Sequence, residues 1–173
     1  LTPEDKELDP SVLFQSDTLK LYRLAKRKYA NLSGVGAAKT GGRWNDVGQE
    51  AIYTSTEIST PWLERLVHTP KNSIPKDLAL MEIHLDLRGA SRESDLPLIF
   101  HRSLKIAQHW DSPTETLSRF AIAMAVPSVI VPVWNVVLYP DAPGFWDRVS
   151  LASVEPVEFD PRLFPPDAVT EPI

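Results

Sequence analysis

The chain contains no cysteine. That absence excludes a disulfide framework, thiolate catalysis and zinc or iron–sulfur sites ligated by Cys, and it is compatible with a reducing cytoplasm. Glycine is scarce too, with seven residues in 173 against sixteen prolines that gather after Asp95 and in the tail. This balance predicts short elements with rigid connections and not a bundle of long helices. No apolar run approaches the roughly 20 residues of a membrane span. The start Leu1-Thr2-Pro3-Glu4-Asp5 is not a basic-then-apolar signal peptide, so the expectation is a soluble, cytoplasmic protein. A leucine at position 1 implies that native residues precede it. Basic surplus is also missing: a formal net charge of −5 and a pI near 5.4 argue against an autonomous nucleic-acid binder. Any DNA would be reached through a partner.

What is present fits one domain, because 173 residues with 43% hydrophobic content suffice for a single proper core. The chain is organised around Gly41-Gly42-Arg43-Trp44-Asn45-Asp46-Val47-Gly48, followed by Ala51-Ile52-Tyr53-Thr54. Paired glycines let backbone approach a ligand closely, and an adjacent arginine offers a planar fork for phosphate or carboxylate. The β-formers that follow hold Tyr53 on a strand, where its face suits a planar ring. An ordinary hairpin with a surface Arg stacked on Trp shows the same residues, so this stretch alone does not choose between a site and a turn.

Residues 1–17 form an acidic lead-in whose Val12-Leu13-Phe14 trio docks on the body. Leu19 to Leu24 alternates as a first strand, with Arg23 on the side of Leu19 and Leu21. Gly34 to Thr40 resembles a phosphate loop but fails on spacing, since Ala38 and Ser33 occupy positions that need glycine; it reads as a flexible loop. The dinucleotide pattern G-x-G-x-x-G fails as well, with Lys39 in place of its third glycine. Ser59-Thr60-Pro61 starts a short helix that stops at Thr69-Pro70, with Ser or Thr as cap and Trp62, Leu63, Leu66 and Val67 as its apolar face. Glu64 then lies at the edge of that face, either looking into a cleft or pairing with His68 four residues on.

Leu78 to Leu87 is the clearest strand, with Glu82, His84 and Asp86 on a solvated face. His101 and His109 lack metal-ligand spacing, so no metal site is expected. Ser112-Pro113 starts a helix through about Met124, with Leu117, Phe120, Ala121 and Met124 facing the core. Ser128 to Val131 and Asn135 to Tyr139 read as two paired core strands, each headed by a short polar residue, and 149–152 and 154–157 as short tail strands. The order β, loop, β, α, β, α, β, β and tail is an α+β pattern.

Several pieces coincide with one family: Leu21-Tyr22-Arg23; Gly42-Arg43-Trp44-Asn45 with Gly48 and Ile52-Tyr53; Leu63-Glu64-Arg65-Leu66-Val67-His68; Val126-Pro127-Ser128-Val129; Asn135 before an apolar run; and Phe159-Asp160-Pro161-Arg162-Leu163. The chain resembles RES-domain proteins, the toxin half of bacterial RES/Xre toxin–antitoxin pairs, whose Arg, Glu and Ser match Arg23, Glu64 and Ser128. The match divides the chain into a lead-in at 1–18, the RES domain at 19–163 and a tail at 164–173. One departure is the lack of a histidine after Tyr139-Pro140, where the family often has one.

The resemblance implies an α+β, ADP-ribosyltransferase-like split β core and breakage of the nicotinamide–ribose bond of NAD+ without a metal. On that reading Arg23 and Arg43 are expected to grip the pyrophosphate and adjoining ribose, with Trp44 and Asn45 in the same loop, and Tyr53 to stack on nicotinamide. Glu64 offsets the charge of an oxocarbenium-like sugar, while Ser128 and Asn135 complete the pocket. The acceptor of ADP-ribose is water or phosphate, which drains NAD, or a host protein, which makes the chain a mono-ADP-ribosyltransferase. An Xre-type antitoxin with a helix-turn-helix is implied to cover the cleft and to carry the complex to DNA. A non-enzymatic protein-binding module stands as the third reading.

Overall fold

The computed structural model of the chain describes residues 8–88, the backbone of 98–100, and residues 121–170. Nine strands and three short α-helices are seen among them. In order these are β1 (Thr18–Lys26), α1 (Val35–Thr40), β2 (Ile52–Ser55), α2 (Thr60–Val67), β3 (Ser73–Ile74), β4 (Leu78–Asp86), β5 (Leu98–Phe100), β6 (Ala123–Pro127), β7 (Trp134–Leu138), α3 (Phe145–Arg148), β8 (Val149–Val157) and β9 (Val169–Thr170). Seven strands form one sheet in the order β5-β6-β7-β2-β1-β4-β8, and β3 pairs with β9 apart from it. All pairings in the large sheet are antiparallel except β5 with β6. The α+β architecture expected from the sequence is present.

The sheet is uneven in a way that makes the site. β1 pairs with β4 along its whole length, from Thr18 opposite Asp86 to Lys26 opposite Leu78. Against β2, however, it keeps register only at Tyr22 opposite Ser55. β2 ends at Ser55, and toward Arg23-Leu24 and Thr54-Tyr53 the ladder is not continued, so that backbone which would have closed it borders a cleft. The core lies under the continuous parts, where Leu21, Ile52, Met81, Ile83, Val136 and Leu138 are fully buried. The lead-in closes one side of it, since Leu13 is buried and Trp134 donates its Nε1–H to the Asp9 carbonyl at 3.2 Å.

Several local expectations are corrected. Gly34 to Thr40 is not a flexible loop: Val35–Thr40 is helical, tied down by Gly48 N–H to Ala38 O at 2.8 Å and by the Asn45 amide to Ala37 O at 3.1 Å. The alanines favour helix, and these tertiary bonds hold it despite the flanking glycines. The strand placed at Ser128–Val131 lies instead at Ala123–Pro127, which includes the end of the expected 112–124 helix; the rest of that helix lies outside the described residues, as do His101 and His109. β-Branched side chains drew the expectation to Val129-Ile130-Val131, yet these form the turn, because the register of Ala123 to Pro127 against Leu138 to Trp134 fixes which residues pair. The two tail strands are one, β8, whose Pro156 is tolerated because the strand is an edge.

Candidate functional site

Glu64 is where the two halves of the molecule meet. Its Oε1 accepts Asn135 Nδ2–H at 2.6 Å and, at a longer 3.4 Å, the Ser128 hydroxyl. The three residues come from α2, the head of β7 and the turn after β6, up to 71 residues apart in sequence. Ser128 is itself fixed, buried to 1% exposure, with its N–H on Val133 O and its Oγ accepting from Ile130 N–H. Glu64 therefore turns to the sheet and not along its own helix to His68. Ser59 heads the helix without making the expected side-chain cap bond.

The expected apolar face of α2 is corrected in part: Trp62 packs on Phe159 and Leu66 is half-buried, but the other two positions turn outward. Leu63 and Val67 are 38% and 65% exposed, whereas Thr60 is fully buried and Glu64 looks inward. A polar helix side facing a sheet is costly unless its groups are paired; here Glu64 pairs with Asn135 and Ser128, while the buried Thr60 hydroxyl has no hydrogen-bond partner among the described residues. Propensity and periodicity alone point to the opposite orientation.

Two cavities lie against Glu64. The smaller, about 230 Å³, opens where β1 and β2 diverge, between Tyr22-Arg23-Leu24 and Tyr53-Thr54-Ser55, with Pro61, Arg65 and His68 of the α2 segment opposite. The larger, about 510 Å³, runs between the Gly42-Arg43-Trp44 loop and the β6–β7 turn, with Val126, Pro127, Val129 and Ile130. Tyr53, Glu64, His68 and Asn135 line both, so they form one cleft with two lobes. Arg23 and Arg43 face it from different lobes. Among the described residues that line the cleft, Arg23, Arg65 and Arg43 surround one carboxylate, that of Glu64. The sequence reading had missed Tyr22, Arg65 and His68. Tyr22 and Arg65 adjoin named residues, but nothing in periodicity marks them, because the cleft they line forms only where α2 meets the gap between β1 and β2.

The central loop is a knot of hydrogen bonds. The Asn45 side chain, 2% exposed, donates Nδ2–H to the carbonyls of Ala37, Asp46 and Gln49 at 3.0 to 3.2 Å, and its Oδ1 accepts the Tyr53 hydroxyl at 2.8 Å. The same phenol oxygen accepts Trp44 N–H at 3.1 Å. Trp44 is 5% exposed and packed in the core, and Tyr139 donates its hydroxyl to the Trp44 carbonyl at 2.8 Å. Gly42 permits this closeness: a Cβ there would overlap the Tyr53 hydroxyl and Asn45 Oδ1. Gly42 thus lies close to the protein's own tyrosine while it also lines the larger lobe beside Arg43, Trp44 and Tyr53.

Burial draws the Arg23 guanidinium's pKa below its ordinary value; an anion beside it would offset that desolvation. Burial raises the pKa of both tyrosines of the knot, for Tyr53 against the opposing effects of the Trp44 N–H and the Arg43 charge. A phenol with a raised folded-state pKa contributes stability that is fully present below its unfolded value of about 10 and is lost as pH rises through the folded value. The expected result is a thermal midpoint that is flat from pH 8 to about 10 and falls above it, less steeply in Tyr139→Phe. Equal slopes in the two proteins would remove Tyr139 as a source of that loss.

Among the described residues no group of His, Asp and Glu is placed to hold a metal ion, and no helix is long and apolar enough to cross a membrane. A model of the RES domain matches residues 20–160. Curated relatives include a protein named "Toxin Res" from Yersinia enterocolitica, 34% identical over 153 residues that make up 84% of this chain and 99% of that one. Another is the "Prs ADP-ribosylating toxin" of a Sphingobium species, 32% identical over 148 residues, 77% of this chain and 86% of that one. Among solved structures, a chain of the M. tuberculosis MbcT-MbcA toxin-antitoxin complex shares the fold, with a TM-score of 0.54 at 18% identity over 84% of this chain and 86% of that one.

Proposed function

The chain belongs to the RES domain family, and on that premise we propose that it is the toxin of a toxin–antitoxin pair and breaks the bond between nicotinamide and ribose in NAD+. The observation that carries this reading is the Glu64 carboxylate, held by Asn135 at 2.6 Å where two lobes meet, with arginines in each and the Tyr53 face beside it. A dinucleotide is long, doubly anionic in its pyrophosphate and planar at its ends, which suits such a cleft. Arg23 and Arg43 hold the pyrophosphate and adjoining ribose from the two lobes, and Tyr53 stacks on nicotinamide. Glu64 accepts a ribose hydroxyl proton in a hydrogen bond and offsets the positive charge that grows on the sugar. The C1′–N bond breaks with its electron pair returning to the ring nitrogen, so nicotinamide leaves neutral without being protonated. An acceptor oxygen then bonds to C1′ and releases a proton. Asn135 and Ser128 act through Glu64, whose orientation they set.

With water or phosphate as acceptor the reaction depletes NAD+. Transfer to a protein is the second reading, favoured by the Sphingobium relative's description as ADP-ribosylating. The partner proposed is an Xre-type antitoxin that covers the cleft in the cytoplasm; the exposed Leu63 and Val67 on the outward side of α2 offer it apolar surface. The test is to incubate the purified chain with labelled NAD+, with and without phosphate or cell lysate, and to follow nicotinamide and the mass of the ADP-ribose product. Free ADP-ribose, its phosphate ester or a labelled protein band each identifies an acceptor. No nicotinamide under any condition would sink the enzyme reading and leave a binding module. Release that continues unchanged beside a bound antitoxin would sink the covering role.

A further inference from the structure

The Phe159-Asp160-Pro161-Arg162-Leu163 segment has no part in the cleft, yet it is built with care. Asp160 accepts four hydrogen bonds from Arg162, from its N–H at 2.9 Å, from Nε at 3.0 and 3.1 Å and from Nη2 at 2.6 Å, at the start of a 3-10 turn at Pro161–Leu163. On either side of this turn stand Phe159, 4% exposed, and the half-buried Phe164, packed edge to face at 5.7 Å between centroids. Phe159 packs in the same manner on Trp62 of α2, at 4.9 Å. Further along, Val169 N–H bonds to Asn72 O and β9 pairs with β3, just beyond the end of α2.

This matters because α2 rests on β1 and β2 mainly through its inward side, and the aromatic contact adds a hold on another side of the helix. Its Leu63 and Val67 are exposed, and its inward side is polar. Trp62 and Glu64 are two residues apart, which on an α-helix is a rotation of about 200°. The aromatic contact therefore grips the back of the helix while Glu64 projects from its front. We propose that the C-terminal strap, through the stack Phe164–Phe159–Trp62, is the positioning device for Glu64: it presses α2 toward β7 and sets the reach of the carboxylate to Asn135. The catalytic consequence rests on the NAD+ reading above; the positioning itself does not.

A misplacement of about 1 Å at a reacting group costs on the order of a hundredfold in rate. Phe164→Leu keeps apolar bulk and removes the ring edge. Its kcat for nicotinamide release should fall about tenfold to a hundredfold with KM within about threefold, because the arginines that hold the dinucleotide are on other elements. Independently of turnover, the Asn135 side-chain amide proton in NMR should shift toward its position in Glu64→Ala. Trp62→Leu should shift it likewise and Trp62→Phe, which keeps a ring on Phe159, should not; this pair reports even if Phe164→Leu does not fold. An Asn135 amide unmoved in a folded Phe164→Leu or in Trp62→Leu overturns the strap. A shifted amide in a protein whose wild type consumes no NAD+ leaves the strap standing and overturns the NAD+ reading instead.

Discussion

Glu64→Ala should lower nicotinamide release by about a hundredfold to ten-thousandfold, the range for removing one group that stabilises developing charge. Its thermal midpoint should move by no more than about 4 °C. The carboxylate's partners explain the small second number. Asn135 Nδ2 loses its acceptor at 2.6 Å, but Asn135 and Glu64 border an open cleft, so water can take the vacated place. A hydrogen bond so replaced is worth about 1 kcal/mol, or roughly 2 to 4 °C in a domain of this size. Glu64→Gln separates charge from shape, since it keeps the side chain's bulk and removes the negative charge; a similar loss would assign the effect to electrostatics. If alanine at Glu64 unfolds the protein as badly as it silences it, the carboxylate is a structural bolt and not a catalytic group.

Asn45→Ala should show the reverse pattern, a large loss of stability with a loss of activity that follows from it. The side chain makes four hydrogen bonds, three from Nδ2 and one at Oδ1, at 2% exposure. Alanine leaves the Ala37, Asp46 and Gln49 carbonyls and the Tyr53 hydroxyl each short of a partner, and water reaches few of them. A loss of about 2 to 4 kcal/mol follows, or about 4 to 16 °C in the thermal midpoint. The sequence reading put Asn45 in the ligand site beside Arg43. A ligand contact at Asn45 would give the opposite result, an unchanged midpoint with a raised KM, so one variant measured both ways decides its role.

Residue patterns carried further on the strands than on the helix. β4 was legible because alternation along it, with Met81, Ile83 and Leu85 buried, is a local consequence of a sheet with one apolar face, and β1 because Leu19 to Leu24 alternates over a shorter span. The motif residues Arg23, Glu64 and Asn135 were legible too, and the fold places all three on one cleft. For α2 the same logic misled. An amphipathic stripe places Leu63 and Val67 inward only if the body offers an apolar surface, and here it offers Asn135 and Ser128.

By itself the sequence determined the absence of thiol chemistry, the α+β class, the long strands and the set of polar residue types available for a site, because these depend on composition and short-range periodicity. Only the tertiary structure decided that β1 and β2 part beyond Tyr22 and Ser55, that Arg23 and Arg43 line different lobes, that the Asn45 side chain bonds within its own loop and that Phe159 packs on Trp62, two residues from Glu64. Each of those depends on a contact between residues whose side chains meet only after the chain has closed, and no local pattern records which partner a buried polar group or an exposed ring will find.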